Sequence, residues 1–340
     1  MCDMKKFNVI IGVLALIVVL GVCVTSIGST EIKDVITIKY GHNYPTTSPA
    51  HKAAEVFKSE VESKSNGSMK VEIYPAMQLG SNREQLEALQ QGSIQVDLQP
   101  AAIAGNFAPE LSILDLPFSF SSEEGMWKVL DGDFGNKLMS KLDAKGIHGL
   151  GFTWTGFKQI TANQPITSLK DLKGLKIRVM NSPLLLEQYK AWGSNPIPID
   201  FSELYNALQQ KVVDGEENNF WTIATQKYYE VQTDLTVTNH APLLAILMAN
   251  KEWYSKLTPE QQKIIDEAGR KAVLTDREEL KNVEQDAIKT IKDNKVIFHE
   301  INLEELAKFK DASEPAYQFM RKQVGDDLVD EYLSSIEQNK

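Results

Sequence analysis

The five histidines, His42, His51, His148, His240 and His299, are the first residues to test for metal binding or acid–base chemistry. None stands in a His-Glu-x-x-His or comparable spacing, and a zinc site needs its ligands grouped a few residues apart. Both cysteines, Cys2 and Cys23, precede residue 24, so the body of the chain has no thiol for a nucleophile, a zinc ligand or a structural disulfide. There is no Gly-x-Ser-x-Gly elbow to present a serine. Neither Gly-x-Gly-x-x-Gly nor Gly-x-x-x-x-Gly-Lys-Ser/Thr offers backbone N–H groups to a phosphate. Acidic pairs such as Glu216-Glu217 are frequent, but in a chain this acidic they read as a solvated face. These residues predict no enzyme, no metal and no cofactor.

The elements that would have to position a site read as α/β. Ile36, Ile38 and Tyr40 alternate with polar residues, a period-two strand. A helix opens at Ser48-Pro49, with proline at the first helical position, and stops at Asn66-Gly67. A strand at 71–74, a helix over 82–91 and a strand at 94–98 follow, which predicts repeated βαβ units and a mainly parallel sheet. Beyond them, a helix over 123–144, strands near 147–154 and 176–180, and helices over 182–192, 202–210 and 219–231 predict a second α/β layer. Thr258-Pro259-Glu260-Gln261 is a capping box, and no proline interrupts the chain from there to Asp293. A helix over 259–293 would run about 52 Å, long enough to lie across two lobes. Helices over 303–311, 314–324 and 326–337 close the chain, acidic and amphipathic.

Composition agrees with a two-domain globular protein: 340 residues, 42% hydrophobic and 24% charged. Its net charge of −10 argues against nucleic acid as a partner. Lys5 and Lys6 precede an apolar run over 9–24, the pattern of an export signal or membrane tether assigned to residues 1–30. In Leu20-Gly21-Val22-Cys23, the cysteine stands where a lipoprotein would be acylated, although Val22 departs from the usual small residue. An exported, two-lobed α/β chain without catalytic motifs suits capture of a solute in the cleft between lobes.

Several segments then carry a resemblance over about residues 36–320. They include Gln78-Leu79-Gly80, Leu116-Pro117-Phe118, Gly174-Leu175-Lys176-Ile177-Arg178-Val179 with Asn181 and Phe201-Ser202-Glu203-Leu204-Tyr205-Asn206-Ala207-Leu208-Gln209. Val213-Asp214-Gly215-Glu216-Glu217-Asn218, Gln226-Lys227-Tyr228-Tyr229-Glu230-Val231 and Thr238-Asn239-His240 complete the series. In this order they resemble the DctP-type solute-binding subunits of tripartite ATP-independent periplasmic (TRAP) transporters.

The resemblance implies that Arg178 holds the carboxylate of a bound acid, a role that suits a rigid, always-charged guanidinium fork. It implies that Asn218 bonds the same carboxylate, and that Asn181 and Phe201 line the pocket, Phe201 as an apolar wall. Lys158 occupies the place of a second family arginine and would help neutralise the ligand, without the planar fork. From the first lobe, Asn43 and Asn82 would face the ligand, with Gln99-Pro100-Ala101-Ala102 nearby; Trp154 and Trp221 are candidates for stacking on it. The implied fold is two-lobed and periplasmic-binding-protein-like, with a hinged ligand cleft. Lobe I would take 31–155 and 244–283, and lobe II 156–243 and 284–340.

The implied function is capture of a small organic acid, a sugar acid such as a hexuronate or a C4-dicarboxylate. Delivery would be to membrane permease subunits driven by an ion gradient, from a monomer in the periplasm or on the outer face of the membrane. The alternative is a periplasmic receptor serving a sensor or an ATP-driven importer.

Overall fold

In the computed structural model, which describes residues 35–339, the first strand keeps the expected alternation: Ile38 and Tyr40 of β1 (Ile36–His42) are buried, while Thr37 and Lys39 are exposed. The export segment and Cys23 lie outside the described residues. The helix Pro49–Lys64 is capped by Ser48, whose Oγ accepts from the His51 N–H at 2.9 Å. It buries Ala53, Ala54, Phe57 and Val61, the three-to-four spacing that packs one helical face on a sheet. Met69–Tyr74 (β2) and Val96–Pro100 (β3) flank β1 in parallel.

The remaining strands are Ile147–Phe157 (β4), Gln159–Ala162 (β5), Lys176–Val179 (β6), Asn195–Pro198 (β7), Gly215–Asn218 (β8), Asp234–Val237 (β9), Pro242–Asn250 (β10) and Ile297–Glu300 (β11). They form two sheets, ordered β2-β1-β3-β10-β4 and β11-β9-β5-β8-β6-β7. The expectation of mainly parallel sheets is corrected. β10 is antiparallel to both β3 and β4, and β5 is antiparallel to both β8 and β9. Both strands are entered by a crossing from the other sheet, so their direction is set by the return path and not by a βαβ unit.

Three predicted helices are divided. The stretch 123–144 is two helices, Glu123–Leu130 and Asp133–Asp143, separated at Asp131-Gly132. The stretch 202–210 begins as a 3-10 turn, Phe201–Glu203, before Leu204–Gln209. The stretch 219–231 is the helix Phe220–Thr225 and a 3-10 turn Tyr228–Glu230, broken where Lys227 adopts φ 57°.

The long helix stands as expected, Pro259–Asp293, opened by its capping box: Thr258 Oγ1 accepts from the Gln261 N–H at 3.3 Å, and Gln261 Oε1 accepts from the Thr258 N–H at 2.9 Å. It packs on the helix Pro49–Lys64 and on β4 beside the first sheet, and on the helix Phe220–Thr225 beside the second. Gly269 permits the close approach to β4, since a Cβ there would sit 2.9 Å from that of Leu150.

The chain crosses between sheets at Lys158, from β4 to β5, and returns over residues 238–241, from β9 to β10. The crossings are bonded to each other. The Lys158 N–H donates to the Ala241 carbonyl at 2.8 Å, Gln159 Nε2 donates to Asn239 Oδ1 at 2.7 Å, and Gln159 Oε1 accepts from the Thr238 N–H at 2.9 Å.

Candidate functional site

Arg178 lies on β6, in register with Ile197 of β7 and Glu216 of β8. It is 2% exposed, and its Nε donates to the Ile199 carbonyl at 3.0 Å. Among the described residues no carboxylate lies within 4 Å of its guanidinium. On the neighbouring strand Glu216 accepts from Thr161 Oγ1 at 2.8 Å and from Asn218 Nδ2 at 3.1 Å. Burial pushes the Glu216 carboxyl up to about 7, against the pull of those two hydrogen bonds and of Arg178. The guanidinium is therefore the charged group here whose fork remains open to a carboxylate.

A cavity of about 30 Å³ lies at Arg178, lined by parts of both sheets. Asn43, Tyr44, Asn82, Pro100, Thr155 and Leu243 come from the first sheet's side, and Met180, Phe201, Glu217, Asn218 and Thr222 from the second's. An outer cleft of about 550 Å³ shares Asn82 with it and is walled by Asn106, Phe107, Asn181 and Ile199 among others. Across this cleft Asn106 Nδ2 donates to the Asn181 carbonyl at 2.7 Å.

Local sequence explains these placements. Asn43 follows directly on β1, and Asn82 opens the helix Asn82–Gln90, capped by Ser81 with Glu84 in a capping box. The two meet: Asn43 Nδ2 donates to Asn82 Oδ1 at 3.1 Å. Phe201 is half-buried at the start of its 3-10 turn, held by Asp200, whose Oδ1 accepts from the Ser202 N–H at 3.1 Å. Asn218 ends β8, opposite Gln159 of β5.

Of the residues singled out in the sequence, Arg178, Asn218, Phe201, Asn43 and Asn82 thus converge on the inner cavity. Asn181 does not; it is exposed and belongs to the outer cleft. Pro100 represents the Gln99–Ala102 stretch, while Gln99 turns aside, its Nε2 donating to Asp97 Oδ2 at 2.9 Å. Trp154 and Trp221 line a separate, narrow space beside Tyr44 and Thr155; Trp154 stacks edge-on with Trp127 and Phe157. The spacing of residues did not point to Tyr44, Thr155, Met180, Thr222 or Leu243. Each is an ordinary strand, turn or helix residue until the two sheets bring it to Arg178.

Lys158 is corrected: it lines neither the inner cavity nor the outer cleft. Its side chain is 0% exposed, and its ammonium lies 2.9 Å from Asp115 Oδ1 and 3.3 Å from Glu217. Asp115 ends the 3-10 helix Pro109–Asp115 beside the first sheet, and Glu217 is on β8 of the second. Burial pushes the ammonium down, but the two carboxylates outweigh it and hold Lys158 above its ordinary range, so it stays charged. Burial likewise pushes Glu217 up, and Lys158 with the His240 hydrogen bond outweighs that, keeping Glu217 ionised.

His240 is held below its usual range by burial and is neutral. A neutral ring donates from one nitrogen only. Its Nε2–H therefore meets Glu217 Oε2 at 3.1 Å, and Nδ1 accepts from Thr238 Oγ1 at 2.7 Å. The lysine in the second arginine's place is a fastener where the crossings meet.

Among the described residues no group of three or more His, Cys, Asp or Glu side chains is placed to hold a metal ion, and no helix is long and apolar enough to cross a membrane. Two mixed sheets bridged by paired crossings, with a buried arginine facing a cleft between them, define a solute-binding protein. The chain belongs to the bacterial extracellular solute-binding protein family 7 (DctP), whose model matches residues 40–323. It is similar to the C4-dicarboxylate-binding periplasmic protein DctP of Rhodobacter capsulatus, 34% identical over 300 residues, which cover 88% of this chain and 90% of that protein. It is similar to the C4-dicarboxylate-binding protein DctB of Bacillus subtilis, 32% identical over 304 residues, 89% of this chain and 87% of that one. Among solved structures, the sugar acid binding protein DctPAm of Advenella mimigardefordensis in complex with galactonate superposes with a TM-score of 0.87 at 33% identity. That match covers 90% of this chain and 99% of that one.

Proposed function

We propose that this chain is the extracytoplasmic solute-binding subunit of a TRAP transporter: it captures a small organic acid between its lobes and delivers it to membrane permease subunits. The observation that carries this reading is Arg178, a buried guanidinium that lines the inner cavity with no carboxylate within 4 Å among the described residues. A buried charge is costly unless paired, and a ligand carboxylate supplies the missing partner.

Relatives support the ligand class. The Rhodobacter protein is named for C4-dicarboxylates and the Advenella protein holds galactonate; a carboxylate is what those ligands share. In this reading Arg178 and Asn218 grip the carboxylate, Phe201 walls the chain of the acid, and Asn43 and Asn82 meet its far end. Asn181 acts at the mouth, and Lys158 acts indirectly by fixing Glu217. The lobes, 31–155 with 244–283 and 156–243 with 284–340, turn about Lys158 and the return crossing. The ligand favours the closed arrangement only as far as it binds that state more tightly. The acid is held and released unchanged, without turnover.

The test is titration calorimetry with a panel of aliphatic and sugar acids. Two charge-assisted bonds at about 1.5–3 kcal/mol each predict that Arg178→Ala weakens binding at least 100-fold while circular dichroism stays that of the parent. Unchanged affinity would remove Arg178 from the site and the reading with it.

A further inference from the structure

The same cavity carries information about the far end of its ligand, an inference that rests on the carboxylate sitting at Arg178. Among the described residues lining the inner cavity, Arg178 is the sole cation, and Arg83 of the adjoining outer cleft is exposed and already paired with Glu87 at 2.8 Å. Glu217, also in the lining, adds negative charge already directed at Lys158 and His240. On the first-sheet side, Asn43 and Asn82 are 5% and 4% exposed and bonded to each other, Nδ2 of Asn43 to Oδ1 of Asn82. Turning both amides over reverses the sense of that bond, and in either sense the pair keeps one oxygen without a donor and one amino group without an acceptor. With Asn43 as the donor, its Oδ1 is buried without a hydrogen-bond donor, and Asn82 Nδ2 has no acceptor among the described residues. A buried amide oxygen without a donor is an unfavourable arrangement that a ligand O–H would relieve.

We infer that the inner cavity, together with the outer cleft it meets at Asn82, selects acids carrying one carboxylate and hydroxyl groups along the chain, and discriminates against dicarboxylates of the same length. A hydroxyl both donates and accepts, so a single O–H group satisfies Asn43 Oδ1 and receives the Asn82 amide. A second carboxylate only accepts. It would set oxygen against oxygen at Asn43 and bring a second negative charge into a cavity with one cation and a carboxylate already in its wall. An unsubstituted alkyl chain escapes the repulsion but leaves the amide pair unmet. Asn43 and Asn82 are thereby specificity-determining residues, and Arg178 is common to every acid that binds.

Two matched series test this by calorimetry on the chain without its export segment: erythronate, succinate and butyrate at four carbons, and galactonate, adipate and hexanoate at six. The expected result, in at least one series, is that the hydroxylated monoacid binds at least tenfold tighter than both the diacid and the unsubstituted acid. Asn43→Leu should reduce its advantage over the unsubstituted acid to less than threefold, with an unchanged melting profile for the free protein. Asn82→Leu, read the same way, guards against a folding defect in the first variant. A margin below tenfold in both series, a diacid that binds as tightly or tighter included, overturns the inference. If the acids' binding is lost in Arg178→Ala, the organic-acid reading survives alone. If no acid of either series binds, or Arg178→Ala changes nothing, both fall.

Discussion

Lys158 at the crossing and Arg178 at the cavity are cations buried to nearly the same degree, and the residues around them put them to opposite uses. Lys158 touches Asp115 from one side of the molecule and Glu217 from the other, with His240 completing the cluster. Arg178 touches a backbone carbonyl, and its nearest strand neighbour, Glu216, has its oxygens engaged by Thr161 and Asn218. A buried cation compensated from within is a structural fastener. One that keeps its fork free of any ion-paired carboxylate is a receptor for an anion. Burial alone does not separate the two; the partner census does.

The largest expected effect breaks or upholds that distinction on stability. Removing one member of a buried ion pair strands the other and costs about 3–5 kcal/mol. Lys158→Met, close in volume, should lose that much in urea unfolding, since Asp115 and Glu217 would face each other without a cation. Arg178→Met strands no ion-paired carboxylate, so its cost should stay below about 1 kcal/mol and can be a gain. Equal losses from the two substitutions would make Arg178 a structural partner and dissolve the contrast.

The contrast also explains what could be read from the sequence. The resemblance placed Arg178, Asn218, Phe201, Asn43 and Asn82 because each is a local motif position whose surroundings travel with it. Lys158 has a motif position too, but its role is decided by Asp115, 43 residues earlier, and Glu217, 59 residues later. Neither partner is visible from spacing.

The fold divides in the same way. The first βαβ units and the capped helix from Pro259 are local patterns, and both appear where expected. β10 is buried along its whole length, so its apolar run has no period to read. β5 and β8 carry Gln159, Thr161, Glu216 and Asn218, which look like surface residues and are buried because they meet one another across the sheet.

A carboxylate offers the complementary case, with a smaller expected effect. Asp97 of β3 is buried, and Gln99 is its side-chain donor. Its Oδ1 and Gln85 Oε1 both lack a donor, and both crowd the spot where a Cβ on Gly41 would stand, at 3.0 and 2.7 Å. Burial pushes Asp97 up to about 8 against the pull of Gln99, and it raises Asp115 as well, against the pull of Lys158. The folded state therefore keeps a proton that the unfolded chain releases near pH 4, so unfolding free energy falls as pH rises from about 4 to about 8 and levels off above. Asp276 and Glu216, each pushed up to about 7 by burial, add slopes of the same sign that end lower. Asp97→Asn should flatten the Asp97 share and leave the variant more stable than the parent at pH 8, by on the order of 1 kcal/mol or more. Parallel stability–pH curves for the two proteins would show that Asp97 is ionised despite its burial.

The smallest effect concerns what joins the two sides once the ligand is in place. Asn106 Nδ2 donates across the outer cleft to the Asn181 carbonyl, and a weaker contact at 3.3 Å ties it to Ile103 on its own side. The bond exists only when the cleft walls are close, so it favours the closed arrangement without touching the inner cavity. A solvated hydrogen bond contributes about 0.5–1.5 kcal/mol net, which corresponds to a loss of affinity of roughly two- to tenfold in Asn106→Ala. Because the open form loses nothing, association should keep its rate and the change should fall on dissociation, measured by stopped-flow tryptophan fluorescence. A slower association with unaltered dissociation would place Asn106 on the ligand's way in, and would leave Arg178 and its neighbours to hold the closed state unaided.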